Sequence, residues 1–203
     1  MLTIWGRLNS HNVKKVAWLA DELGVDFVRH DVGGAFGMDA AYLSLNPNRL
    51  IPTIEEDGVV LWESNAIVRY LAARHAPGTI WPTDVVQRAQ ADKWMDWQID
   101  YAGAQRDAFF NLVRRPADSR DAAAIQKSVE RCGARLALLD QVLEQTSWLS
   151  GAQFGMGDIP MGVYAYTWFN LPIERPELPA LAEWYARLTE RPGFARQVMT
   201  PLT

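Results

Sequence analysis

Two serines in this sequence stand where a β-rich run gives way to a helical pattern, and there a side-chain hydroxyl can meet an anion. Ser10 follows Leu2-Thr3-Ile4-Trp5 and the polar turn Gly6-Arg7-Leu8-Asn9, and Ser64 follows Val59-Val60-Leu61-Trp62-Glu63. The first turn of a helix leaves backbone N–H groups unpaired and carries a partial positive charge, so it attracts carboxylates and other anions. The Ser64 hydroxyl and N–H suit a ligand carboxylate, while the Glu63 carboxylate would balance a ligand ammonium. Ser10, Asn12 or Ser64 could equally be ordinary helix caps, and at Ser64 both roles can hold at once. The third feature is Ile51-Pro52. The residue before a proline is pushed to an extended backbone. Read alone, such a pair marks the beginning of a strand.

The elements that must position these residues are legible from periodicity. Val13, Val16, Ala17, Ala20 and Leu23 recur at helical spacing and predict a first helix over 12–23, stopped by Gly24. Residues 26–30 alternate as a strand, and Gly33 to Gly37 form a flexible connection. Residues 39–45 suit a short helix ended by Asn46-Pro47-Asn48. Asp57-Gly58 between two β-rich runs predicts a hairpin, and 64–73 reads as a helix with Ala66, Ile67, Tyr70 and Leu71 on one face. The opening strand–helix–strand unit implies a parallel pair, and the hairpin adds antiparallel strands, so the sheet is mixed.

Beyond residue 76 the texture changes. Pro77-Gly78 and Trp81-Pro82 mark a linker over 76–84. Helical patterns then run over 85–113, 120–144, 158–170, 180–190 and 193–197. The 158–170 stretch is apolar nearly all round, as a buried central helix would be. The expected division is an α/β domain over residues 1–75, the linker, and an all-helical domain over 85–203.

Composition narrows the function. The chain has 203 residues, 49% hydrophobic and 22% charged, with a net charge of -4, and no Lys/Arg-rich block favours a nucleic-acid or membrane partner. A lone cysteine, Cys132, excludes an internal disulfide and any cysteine-based metal site. The histidines His11, His30 and His75 are scattered, so no metal is expected. No run approaches the roughly 18 to 20 apolar residues of a membrane span and no secretory signal is visible, so a cytoplasmic setting is expected.

Ile51-Pro52-Thr53 before a hairpin, then Glu63-Ser64, then an all-helical half, resembles the thioredoxin-like cytosolic glutathione transferases across essentially the whole chain. The stretches Asn9-Ser10-His11-Asn12-Val13-Lys14-Lys15-Val16 and Leu61-Trp62-Glu63-Ser64-Asn65-Ala66-Ile67-Val68-Arg69-Tyr70-Leu71 are most similar to bacterial serine-type members, theta- or beta-like. The resemblance implies a thioredoxin-like domain with a mixed four-stranded sheet, followed by an all-α bundle. It implies a cis bond before Pro52, with the Ile51 main chain pairing the cysteinyl unit of glutathione. Glu63 and Ser64 would then hold the γ-glutamyl group, and Arg49 is the candidate for the glycine carboxylate. Glutathione is a co-substrate, and no further cofactor is implied. Homodimers are common in the family.

Ser10 aligns with the family's catalytic serine. A free thiol has a pKa near 8.5, so only about 3% is thiolate at neutral pH, and a shift of about two units requires roughly 2.7 kcal/mol of preferential thiolate stabilisation. A hydroxyl donor beside a helix N-terminus supplies that kind of interaction, and Asn12 could donate a second hydrogen bond. Trp5 stands where other classes place a tyrosine, and reads as core or pocket wall. The absence of a cysteine near position 10 argues against the members that form mixed disulfides.

The expected activity is transfer of glutathione to a small hydrophobic electrophile. The second-substrate pocket would lie between the domains, with Trp97 and Tyr101 as its candidate residues. A peroxidase, isomerase or dehalogenase on the same scaffold is the alternative within the class. A non-catalytic binding protein is the alternative outside it. One departure from the family pattern is Gly155-Met156-Gly157-Asp158 where a Ser/Thr-x-x-Asp capping box is usual. Asp158 is expected to cap its own helix start through backbone N–H groups, with a modest loss of stability for the missing hydroxyl.

Overall fold

The computed structural model describes all 203 residues, which divide into two compact units. The first comprises Met1–Thr83 and Arg191–Thr200, and the second Asp84–Glu190 and Pro201–Thr203.

In the first unit the order is β1 (Leu2–Trp5), α1 (His11–Glu22), β2 (Phe27–His30), α2 (Ala40–Leu45), β3 (Thr53–Glu56), β4 (Val59–Trp62) and α3 (Ser64–His75). The sheet order is β2-β1-β3-β4. β1 and β2 run parallel, with Leu2 opposite Phe27 and Trp5 opposite His30. β1 and β3 are antiparallel, as are β3 and β4. This is the expected mixed, four-stranded, thioredoxin-like sheet. The hairpin turns at Asp57 (φ 48°) and Gly58 (φ 83°), two successive positive φ angles of the kind that match the twist of paired strands. Leu2, Ile4 and Ile54 from the sheet are fully buried, as are Val13, Val16, Ala17 and Ala20 from α1 and Ile67, Val68 and Leu71 from α3. The α1 residues are the face that helical spacing predicts; on α3 the buried residues are Ile67, Val68 and Leu71, whereas Ala66 and Tyr70, expected on the inner face, are only half-buried.

α8 (Pro192–Gln197) is where the expected domain boundaries fail. Residues 191–200 belong to the first unit, not to the helical one. Phe194, fully buried, packs edge-on against Trp18 of α1 at 4.8 Å between ring centres. Arg191 pairs with Glu22 at 2.7 Å, and Arg196 pairs with Asp21. Lys14 Nζ donates to the Val198 carbonyl at 2.8 Å. The stretch expected as a linker also folds with the first unit as far as Thr83, and Pro77 and Trp81 bridge within it.

The second unit is all-helical: α4 (Val85–Phe109), α5 (Ala122–Leu143), α6 (Asp158–Asn170) and α7 (Pro179–Thr189). α4 passes at Phe110–Arg114 into a single π-helical turn, so the expected continuous helix to 113 changes hydrogen-bonding pattern at its end. Asp84 and Asp121 cap α4 and α5, accepting from Gln87 N and Ala124 N. α6 is buried on nearly every side, as its composition implied.

Asp158 closes the start of α6 through the Gly155 N–H as expected, and it holds further donors besides. It is fully buried and its carboxylate reaches backwards, accepting from Leu149 N (2.8 Å), Ser150 N (3.3 Å), Gly155 N (3.1 Å) and Trp184 Nε1 (2.9 Å). The hydroxyl missing from the usual capping position comes instead from Ser150, whose Oγ accepts from Gly157 N at 3.0 Å. A Cβ at Gly157 would stand 2.6 Å from the Ala91 carbonyl oxygen, so glycine there allows α6 to lie against the backbone of α4.

Candidate functional site

The loop that carries Ile51 is held from behind by α2. Tyr42 on α2 and Asn46, which ends it, point into the unit and are both buried. Asn46 Nδ2 donates to the Leu50 carbonyl at 3.0 Å and to Thr53 Oγ1 at 3.1 Å, and Asn46 Oδ1 accepts from Asn48 N at 3.0 Å. The Tyr42 hydroxyl donates to the same Leu50 carbonyl and lies 3.0 Å from Thr53 Oγ1. The loop is thereby fixed at both ends, and buried polar groups so satisfied make a rigid support. Burial raises the Tyr42 pKa, so its hydroxyl remains a donor.

The Ile51–Pro52 bond is cis. Ile51 lies beyond the β1–β3 ladder, which ends at the Trp5–Thr53 pair, so the sheet does not take up its main-chain groups. Opposite stands the start of α3. The chain enters it through Glu63 at φ 73°, a backbone setting that costs a non-glycine residue about 1–3 kcal/mol and persists where its surroundings hold it. The Glu63 side chain makes no capping bond, so the helix N-terminus is not closed by its own N-cap residue.

These elements enclose a cleft of about 60 Å³, lined by Asn12, Asn46, Asn48, Leu50, Ile51, Pro52, Glu63 and Ser64. Asn12, Ile51, Pro52, Glu63 and Ser64 were singled out from the sequence, and the fold brings them together. Arg49 is exposed and does not line the cleft. Ser10 stands two residues before Asn12 at the N-cap position of α1, half-exposed, and its hydroxyl makes no capping bond. Sequence reasoning missed Asn46, Asn48 and Leu50. Asn46 ends α2 with an extended backbone, so helical spacing gave no signal for it.

Lys15 comes from α1 to the inner side of Ser64. It is buried, with Nζ 3.2 Å from Asn65 Oδ1 and 3.4 Å from Ser64 Oγ. Burial pulls its pKa down to about 7 against a smaller upward pull from the Glu63 charge. Trp5, the pocket-wall candidate, is tied elsewhere: its Nε1 donates to Glu55 Oε1 at 2.6 Å and its ring stacks on His30.

The aromatic candidates of α4 separate by burial. Tyr101 is fully buried, its ring against Trp97 and Tyr164 and its hydroxyl accepting from Gln105 Nε2 at 3.1 Å. That leaves it no open surface for a ligand. Trp97 stacks on it and is only half-buried. No cluster of three or more His, Cys, Asp or Glu side chains converges anywhere. Cys132 is buried, and burial raises its thiol pKa to about 11. No helix is long and apolar enough to cross a membrane.

Residues 9–74, which carry the cleft, match the family described as glutathione S-transferase, N-terminal domain. The whole chain is 43% identical to glutathione S-transferase GstB of Escherichia coli K12, with all of both chains covered. It is 28% identical to glutathione S-transferase 3 of Zea mays over 97% of this chain and 93% of that one. Among solved structures, the theta class glutathione S-transferase of Xanthomonas axonopodis pv. citri with glutathione bound superposes with a TM-score of 0.96 at 52% identity, covering 100% of this chain and 99% of that one. A full-length match at this identity carries the fold and the cleft together, and the chain belongs to the glutathione S-transferase family and is a glutathione transferase.

Proposed function

We propose that the chain adds the glutathione thiolate to a small hydrophobic electrophile, with the thiolate held at the start of α1. The γ-glutamyl carboxylate sits on Ser64 at the N-terminus of α3, and Glu63 faces the γ-glutamyl ammonium. The Ile51 main chain pairs the cysteinyl unit. The sulfur then lies beside Ser10 and Asn12, whose hydroxyl and amide donate to the anion. The thiol gives its proton to solvent, the thiolate attacks the electrophilic carbon, a C–S bond forms, and the leaving group departs with its electron pair. The observation that carries this reading is an unspent donor beside a lined cleft: the Ser10 hydroxyl does not close its own helix, while Asn12, Ile51, Pro52, Glu63 and Ser64 line one cavity.

Trp97 is the aromatic of α4 assigned to the electrophile, because it keeps open surface where Tyr101 has none. A homodimer is part of the proposal. β4 is an edge strand whose Val59, Val60 and Trp62 are 39%, 43% and 38% exposed, and an exposed apolar edge favours association. A detoxifying role in the cytoplasm is the setting in which such chemistry is expected.

Retention on immobilised glutathione and turnover of chlorodinitrobenzene test the reading together. The protein is expected to be retained and to turn over. Retention without turnover would indicate a binding protein, and no retention would remove the assignment of the cleft.

A further inference from the structure

α1 carries two adjacent buried lysines, Lys14 at 3% and Lys15 at 2% exposure. Lys14 serves the C-terminal segment through the Val198 carbonyl. Lys15 points to the other side, where its ammonium reaches the first turn of α3 at Ser64 Oγ and Asn65 Oδ1. Lysines are seldom buried this fully without a counter-charge.

From the β4–α3 junction comes Glu63, which is exposed. α3 offers the neutral Ser64 and Asn65. β1 (Leu2-Thr3-Ile4-Trp5) has no titratable residue. Arg191 and Arg196, in and before α8, are engaged with Glu22 and Asp21 at the far end of α1. Lys14 is the neighbouring cation. Ser64, meanwhile, lines the cleft on its other side.

We infer that Lys15 is a positioning residue for the α-carboxylate of a γ-glutamyl ligand, acting through Ser64: its ammonium donates to Ser64 Oγ, and the Ser64 hydroxyl donates in turn to the carboxylate. This rests on the glutathione reading of the cleft. A hydroxyl that accepts from a cation is a stronger donor, and the carboxylate adds to the counter-charge that Glu63 presents to the buried ammonium. Seating that carboxylate draws a proton onto Lys15, because a nearby anion favours the charged amine, and at a pKa of about 7 the unliganded lysine is largely neutral at pH 8. The α-carboxylate is therefore the part of the tripeptide that this lysine discriminates.

The test uses two probes without a free thiol. One is S-methylglutathione. The other is its analogue with a 4-aminobutanoyl group in place of γ-glutamyl, which lacks only the α-carboxylate. Calorimetric titration of Lys15→Met should show S-methylglutathione weakened about 10- to 100-fold, as for loss of a charge-assisted hydrogen bond, with the analogue changed by less than about twofold. Lys15→Arg, which keeps the charge, should recover part of the loss. Equal weakening of both probes, or of neither, overturns the inference. The wild-type protein supplies a second readout if the variant does not fold. At pH 8, titrations in buffers of different ionisation enthalpy should show uptake of about half a proton or more with S-methylglutathione and almost none with the analogue. Absence of uptake with S-methylglutathione overturns the inference. If the wild type binds neither probe, the glutathione reading itself fails, whereas wild-type binding without discrimination removes only the role of Lys15.

Discussion

Tyr42 on α2 and Asn46, the extended residue that ends it, both donate to the carbonyl oxygen of Leu50. That shared acceptor is what connects a short surface helix to the ligand cleft. The two side chains also meet at Thr53 Oγ1, so the segment from Leu50 to Thr53 is held at both ends before any ligand arrives. Asn46→Ala should leave the Leu50 carbonyl and the Asn48 N–H each one partner short. The expected cost is about 1–3 kcal/mol of stability, with a larger rise in KM for glutathione than fall in kcat. Tyr42→Phe should act in the same direction, less strongly. Denaturant unfolding and steady-state kinetics of the two variants check this. Unchanged KM in both would mean that the loop does not need its support.

Asp158 and Trp184 are a second such pair, and they concern stability, not chemistry. The Asp158 carboxylate is the common acceptor for Leu149, Ser150, Gly155 and Trp184. Asp158→Ala should leave several buried donors unsatisfied and cost more than about 4 kcal/mol, enough to abolish soluble expression or lower Tm sharply. Ser150→Ala, which removes the cap on Gly157 N and the Ser150 side-chain bond to Asp158, should cost about 1–2 kcal/mol and leave the kinetic constants unchanged. Thermal unfolding of the two variants separates these magnitudes.

Gly157→Ala tests the close approach of α6 to α4. Its Cβ would meet the Ala91 carbonyl oxygen, a backbone atom that cannot swing away. Overpacking of this kind costs about 1–3 kcal/mol. The substitution is expected to lower the denaturant midpoint, the more so because Gly157 is the N-cap of α6, where alanine is also the poorer residue. A stabilised variant would show that the two helices have room to part.

Lys14 gives a pH signature. Burial pulls its pKa down to about 8, whereas an unfolded lysine titrates near 10.4. Between those values the unfolded chain binds more protons than the folded one, so stability rises with pH across that window. Below pH 8 the penalty is fully present. Lys14→Met removes the ionisable group, so wild type should gain on the variant by about 3 kcal/mol between pH 7.5 and 10.5. Urea unfolding across that range measures the difference. A constant difference would mean that the Lys14 ammonium is not held at a burial cost.

The fold of the first unit was readable because its signals are local. Alternation gave β2, the Asp57-Gly58 pair gave the hairpin, and three- and four-residue spacing gave the inner face of α1 and, through Ile67 and Leu71, half of the face expected for α3. Asn12, Ile51, Pro52, Glu63 and Ser64 were readable for the same reason, each lying at an element boundary or beside a proline. What escaped depends on distant partners. Asn46-Pro47-Asn48 looks like loop punctuation, and nothing near it announces that the Asn46 amide is buried against Thr53. Arg191 to Gln197 carries the same helical period as α7, and only the partners Trp18, Asp21 and Glu22, some 170 residues earlier, assign it to the first unit. Asp158 was readable as a cap, as its bond from Gly155 N shows, but its further donors Leu149, Ser150 and Trp184 were not. Tyr101 and Trp97 share a face in the sequence, but only packing decides which of them is sealed.

The central claim is that the start of α1 stabilises an anionic sulfur. The most direct measurement is the ultraviolet absorbance of the thiolate of bound glutathione against pH, in the wild type and in Ser10→Ala. Bound glutathione is expected to titrate about two units below the free thiol value near 8.5, and Ser10→Ala should move it back upward while the affinity for glutathione changes little. A bound thiol that titrates like free glutathione in the wild-type protein would contradict the account.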